Sequence, residues 1–243
     1  VPAQPLYAHQ TKVLNLSWER ASYAILLEMG LGKTAIAIAN AGMLHVTGRL
    51  TGVLVIAPKG VHRQWVETEI PRHIDPRVSW SGAIWGNKQT HSRKELQFFS
   101  VNTDAVRTKN GKEAIVKFLM AHAGKCMIVV DESHNFKSWQ TDRTKALLSL
   151  RELAAYRRIM TGTPIAKNVM DAWTQFNFLD PKILGQRYAA AFRSRYCVMG
   201  GWEGKQIVGQ KNTEEFYQLI APHSFRLTKT EALDLPEKVY VTR

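Results

Sequence analysis

Cysteine is nearly absent. Cys126 and Cys197 are the only two in 243 residues, far apart and without metal-ligand spacing, so neither a zinc site nor a disulfide framework is indicated. Two free thiols in a reducing compartment fit better. Long apolar runs are missing too, and no stretch is long enough to cross a membrane as a helix. The start, VPAQPLYAHQ, lacks the basic segment followed by an apolar one that marks a signal peptide. There is no internal repeat and no low-complexity linker. Acidic residues are scarce: 20 Asp and Glu stand against 33 Lys and Arg, a formal net charge of +13. Such a surplus favours a polyanionic partner, nucleic acid first, because basic side chains displace counterions from phosphates. Charge alone does not decide it, since many basic proteins bind nothing in particular. The chain has no Met at position 1 and stops in the strand-like KVYVTR, the pattern expected of an excised piece of a longer protein. A hydrophobic fraction of 45% and a charged fraction of 22% suit a soluble globular fold with a substantial core.

What is present is an alternation. SYAILLE (22–28), GVLVIAP (52–58), CMIVVDE (126–132) and YRRIMTG (156–162) are short, apolar and bounded by Gly, Pro or acidic residues. Continuous apolar runs of that length suit strands buried on both faces. Helical patterns lie between them over 33–43, 61–70, 112–122 and 141–153. Strands alternating with helices predict βαβ units and a mostly parallel sheet with helices on both faces. Beyond Pro181 the texture changes. A helix, a hairpin turning on Gly200-Gly201 or Gly204, and a second helix capped by Asn212, with Glu214 and Glu215 in its first turn, are expected there. This stretch reads as an appendage to the sheet.

Two stretches carry chemistry. In LLEMGLGKTAIAIA (26–39) a strand breaks into Gly30-Leu31-Gly32, followed by Lys33-Thr34 and a helix. In a strand–loop–helix nucleotide site, loop N–H groups and the helix N-terminus face phosphate oxygens. Lys33 would reach the β- and γ-phosphates, and the Thr34 hydroxyl would ligate Mg²⁺. The usual pattern wants its first Gly at position 27, where this chain has Leu, and a Gly-containing loop before a buried helix fits the same string. The second stretch, CMIVVDESH, ends the most apolar strand in Asp131 and Glu132. Adjacent carboxylates at a strand tip are costly without a counter-charge, which a metal–phosphate group supplies. Asp131 would then hold Mg²⁺ through water, and Glu132 would deprotonate the attacking water. A strand-end turn with solvated acids is the plainer alternative.

Taken in order, these motifs resemble the Swi/Snf-type branch of the superfamily-two helicase-like ATPases over nearly the whole chain. LYAHQTKVL (6–14) is similar to the family's adenine-reading segment, with Gln10 as the adenine-binding Gln. LLEMGLGKT resembles motif I, and VLVIAPKGVHRQWVET (53–68) motif Ia. VNTDAV (101–106) is similar to the next strand-and-turn motif. DESHNFKSWQTDRTKAL resembles motif II with its extension, TGT motif III, and FRLTKTEALDLPEK (225–238) the segment leading out of the first lobe. The resemblance implies an α/β fold, the first RecA-like P-loop NTPase lobe over 1–243, with 182–225 as the family-type appendage. It implies ATP and Mg²⁺ as cofactors, a loop of Met29, Gly30, Leu31, Gly32, Lys33 and Thr34 around the phosphates, and catalytic roles for Lys33, Asp131 and Glu132. It implies that His134, Thr161, Gly162 and Thr163 couple the acidic site to the nucleic-acid surface. Two positions depart from the usual pattern: Leu27 stands where Asp is common, and Ser133 where Ala is commoner.

The expected partners are double-stranded DNA and a second RecA-like lobe of the same parent chain, with no membrane contact. Pro58, Lys59, His62 and Arg63 in motif Ia, and Lys137 after the acidic box, are the expected contacts to the nucleic-acid backbone. Trp65, beside Val61 and Val66 at helical spacing, reads as core, whereas Trp139 and Trp202 fall in loops and could be exposed or packed. No motif resembling the family's later arginine-bearing motifs follows Pro236. The expected function is therefore the ATP-binding half of a DNA-dependent translocase, weakly active alone. A strand-separating helicase and a nucleic-acid-binding module with a vestigial ATP site are the alternatives. The short loops between motifs look like a compact phage or bacterial member acting in the cytoplasm, or in the nucleus if the parent is eukaryotic.

Overall fold

A computed structural model describes residues 4–86, 95–165, 168–186 and 188–233. The chain runs α1 (Ala8–Ser17), β1 (Ser22–Leu27), α2 (Lys33–Val46), β2 (Gly52–Ala57), α3 (Val61–Gln64), α4 (Ile70–His73), β3 (Trp80–Ile84), β4 (Leu96–Asn102), α5 (Lys109–Ala121), β5 (Cys126–Asp131), α6 (Asp142–Leu150), β6 (Tyr156–Met160) and α7 (Met170–Leu179). It continues through α8 (Ala189–Tyr196), β7 (Cys197–Gly200), β8 (Gln206–Gln210), α9 (Thr213–Ile220), β9 (Ser224–Leu227) and α10 (Lys229–Leu233). Seven strands form one parallel sheet in the order β3-β4-β2-β5-β6-β1-β9. Residues of the expected stretch KVYVTR lie outside those described.

Burial on both faces explains the continuous apolar strands. Every residue of β2 and β5 is buried. Because side chains alternate across a strand, Leu54, Ile56, Ile128 and Val130 pack on one face with Ile115, Leu147 and Phe176. Val53, Val55, Met127 and Val129 pack on the other with Val13, Ile36 and Leu44. α2 lies close to the sheet because its inner face is made of Ala, Ile and Gly42. α5 starts where the Thr108 side chain accepts from Gly111 N–H at 3.1 Å, a side-chain N-cap.

Three elements differ from the sequence reading. The helix expected over 61–70 is broken: a π-turn over Trp65–Glu69 separates α3 from α4, and Ile70 N–H bonds back to the Trp65 carbonyl. Pro71 is the cause, since it brings no N–H for the carbonyl of residue 67 and its ring crowds that carbonyl. The appendage expected over 182–225 ends early, because Ser224 and Phe225 belong to β9, an edge strand of the main sheet. Phe192, Tyr196 and Phe216 of the appendage share a hydrophobic cluster with the sheet. Asn212 precedes α9 as expected but does not cap it. It sits in the left-handed region, φ 53°, and its Nδ2 donates to the Arg195 carbonyl at 2.8 Å instead.

Candidate nucleotide site

The carboxyl ends of β1, β5 and β6 lie side by side in the sheet, where open α/β sheets bind ligands. After β1 the backbone turns at Gly30 (φ 85°) and Gly32 (φ 76°), both in the left-handed region that glycine adopts without strain. Gly32 is also the residue before α2, so the turn delivers the chain into a helix N-terminus. Lys33 is only 8% exposed, and its Nζ donates to the Leu27 carbonyl at 2.9 Å. Gln10 is buried against this loop. Its Oε1 accepts from Tyr7 N–H at 3.0 Å and its Nε2 donates to the Leu31 carbonyl at 3.2 Å. A β-carbon at Gly32 would stand 2.0 Å from Gln10 Nε2, so a larger residue there would displace the Gln10 amide as well as strain the turn.

Across the cleft, Asp131 ends β5. Its Oδ2 accepts from Trp65 Nε1–H at 3.0 Å and its Oδ1 from Glu132 N–H at 2.9 Å. Burial raises its pKa above the ordinary carboxylate value, opposed by the bond from Trp65. Glu132 adopts φ 47°, the left-handed conformation that costs a non-glycine residue about 1 kcal/mol or more. That strain turns the chain sharply at the strand tip. From there a run of close polar contacts leaves the site, with His134 Nδ1 between Glu132 and Thr161. Glu132 Oε2 lies 3.1 Å from His134 Nδ1, and His134 Nδ1 lies 3.0 Å from Thr161 Oγ1. Thr161 Oγ1 accepts in turn from Thr163 N–H at 3.1 Å. Gly162 passes close under the phosphate loop, where a β-carbon would come within 3.3 Å of Glu28 Cα and the Leu27 carbonyl oxygen.

Gln10, Met29, Gly30, Gly32, Lys33, Thr34, Asp131 and Glu132 line one cleft of about 710 Å³. Leu31 does not. Its side chain is buried in the core and only its carbonyl serves the loop. The expected nucleic-acid residues divide. Lys59 is exposed, and Pro58 and Lys137 are half-buried. Arg63 is exposed but lies 3.6 Å from Glu67, one helical turn on. His62 departs from the expectation of an exposed side chain: it is 6% exposed, and burial lowers its pKa. Trp139 is 36% exposed and Trp202 81% exposed.

Sequence reasoning missed two positioning groups. Trp65 was read as core, and it is, but its one N–H holds Asp131. Ser133 Oγ donates to Gln175 Oε1 at 2.6 Å, and Gln175 Nε2 donates to the Pro164 carbonyl at 2.7 Å. α7 therefore ties the acidic box to the TGTP turn. Nothing in the spacing of Gln175 signals this, because the contact spans 42 residues.

A sequence profile described as the SNF2-related domain matches residues 9–243. The chain belongs to the SNF2-related domain family. Its fold is that of the SWI2/SNF2 ATPase core of Sulfolobus solfataricus, solved in complex with dsDNA, with TM-score 0.73, 25% identity, and coverage of 94% of this chain and 45% of that one. The same core domain is similar in a second structure at TM-score 0.71 and 26% identity, covering 97% of this chain and 46% of that one. Among curated SNF2-related relatives, Helicase SWR1 of Cryptococcus neoformans is 29% identical over 171 residues, 69% of this chain and 13% of its own length. The DNA annealing helicase and endonuclease ZRANB3 of Homo sapiens is 28% identical over 231 residues, 87% of this chain and 20% of its own length. The SNF2-related chain thus spans less than half the length of each relative named.

Proposed function

We propose that this chain is the first ATP-binding lobe of a DNA-dependent ATPase that moves on double-stranded DNA, with 1–243 as the lobe. One observation carries the reading: the phosphate loop and the Asp131–Glu132 pair face one cleft, and close polar contacts through His134 lead out of it to the TGT turn. The relatives' names, an ATPase core in complex with dsDNA and two helicases, support DNA as the partner.

The residues fit a magnesium–nucleotide group. Among the described residues, no group of three or more His, Cys, Asp and Glu side chains could hold a metal by itself. That suits Mg²⁺, which usually takes one or two protein ligands together with phosphate oxygens and water. Thr34 and Asp131 would hold it. When bound, Mg²⁺ neutralises charge that develops on the transferring phosphate. Lys33, released from the Leu27 carbonyl, turns its ammonium to a phosphate oxygen. Glu132 accepts the proton of the attacking water, and His134 holds the Glu132 carboxylate in place. Gln10 holds the loop from the α1 side and is placed to read the base. The chain lacks a recognisable source of the arginines that speed such reactions by about 10³-fold or more, so the lobe alone hydrolyses ATP slowly or not at all. Short spacing between the motifs supports a compact phage or bacterial parent, although the relatives named above come from a fungus, a human and Sulfolobus.

The experiment is ATP hydrolysis by the full-length parent with and without duplex DNA. Lys33→Ala and Glu132→Gln are each expected to abolish DNA-stimulated turnover; wild-type rates in either variant would sink the assignment. Triplex displacement without duplex unwinding distinguishes translocation from strand separation.

A further inference from the structure

We propose that Lys229 is a second cationic contact to the nucleotide's phosphates, reaching the loop from the sheet edge. The inference rests on the reading of the cleft as a nucleotide site and adds a residue to it. β9 pairs parallel with β1 so that Leu27 stands opposite Leu227. The residues that follow each strand therefore emerge side by side, the phosphate loop from β1 and Thr228-Lys229 from β9. Two bonds fix the second segment against the first. Glu28 N–H donates to the Leu227 carbonyl at 3.1 Å, and Lys229 N–H donates to Glu28 Oε2 at 2.8 Å.

With its backbone held, the Lys229 side chain runs along Gly30. A β-carbon at Gly30 would lie 3.6 Å from Lys229 Cε and 3.8 Å from its Nζ, and Gly30 lines the nucleotide cleft. Lys229 is half-buried, and among the described residues no carboxylate lies within ion-pair distance of its ammonium. The Glu28 carboxylate accepts the Lys229 N–H. A partly desolvated cation without a counter-charge is costly, and an anion placed beside it removes the cost. The loop it touches is shaped for phosphate by its glycines and helix N-terminus. Lys33 approaches from the start of α2 and Lys229 from the start of α10, just past the edge strand, so the two ammonium groups grip the same anion from different elements.

The test is equilibrium binding of a fluorescent ADP analogue and of inorganic tripolyphosphate, both with Mg²⁺, to the chain and its variants. Lys229→Ala should weaken both ligands about tenfold, the loss of one charge-assisted hydrogen bond. Lys229→Arg should stay within about threefold of wild type, since it keeps a donor and the charge. Melting temperatures without ligand should stay the same or rise, because the uncompensated charge is removed; a merely structural role would lower them. If the alanine variant melts early, Lys229→Met keeps the aliphatic stem, removes the charge and carries the test. Wild-type affinity for tripolyphosphate in Lys229→Met, with affinity lost in Lys33→Ala, overturns the role of Lys229 and leaves the cradle standing. Failure of the wild-type chain to bind either ligand overturns both.

Discussion

Trp65 spends its single indole donor on Asp131, and the two residues come from different motifs. Trp65→Phe removes the donor and also leaves the space of the lost pyrrole ring. It should cost about 1–3 kcal/mol in urea unfolding at neutral pH, the cost of an unsatisfied buried acceptor, and weaken Mg²⁺-dependent nucleotide binding. Asp131 makes this cost depend on pH. Burial raises its pKa in the folded state above the unfolded value, so the folded chain binds that proton more tightly. The ionised carboxylate therefore lowers stability above the folded pKa, and the deficit fades as pH falls through it. Relative to Asp131→Asn, the wild type should gain stability on acidification through that range; parallel pH profiles would contradict the burial argument. Residue identities were legible where chemistry is local. Gly30, Gly32, Lys33 and Thr34 are neighbours in the string and line one cleft in the structure. His62 was misread because a basic residue after a strand looks exposed, and only the packing of α3 on β2 and β4 hides it. Arg158 gave no signal either. It is fully buried and donates to Asn40 Oδ1 and to the carbonyls of Ser17 and Arg20 at 2.8–2.9 Å.

At the scale of elements, the four strands read from continuous apolar runs are all present, because burial on both faces leaves an unmistakable pattern. β3 and β9 were not read as strands. WSGAI has only one buried residue and SFRL none, as expected of edge strands, whose outer sides need no apolar cover. The break between α3 and α4 was not read from the sequence, although Pro71 is its cause; the π-turn that absorbs it leaves Trp65 bonded to Asp131 and Ile70 in the core. α7 connects the acidic box and the TGTP turn through Gln175. Ser133→Ala leaves Gln175 Oε1 without its donor. The expected cost is about 1–3 kcal/mol of stability, with DNA stimulation of the parent's ATPase reduced more than its nucleotide affinity. Equal losses in both would mean that the contact only supports the fold.

For the molecule as a whole, the +13 charge sets how DNA would be held. Contacts to phosphates give affinity that falls with salt and does not depend on sequence. Lys59→Ala should weaken binding equally on unrelated duplexes and reduce the salt slope by about 1. His62→Ala should leave that slope unchanged, because the buried ring carries no charge to the surface. A slope unaltered in Lys59→Ala would remove motif Ia from the DNA path. The charge was legible in composition, but its distribution was not: Arg63, Arg107 and Arg143 lie beside Glu67 and Asp104, which partly cancels what the sequence offers. The parallel pairing of β9 with β1 has a mechanical meaning as well. Four register pairs, Ala24–Leu27 with Ser224–Leu227, join the outgoing segment to the strand that feeds the phosphate loop. Tension pulling along that outgoing segment would load these pairs together in shear, not one after another as in unzipping. A tug on the chain leaving this lobe would then be felt at Glu28 and Gly30 before the sheet gives way.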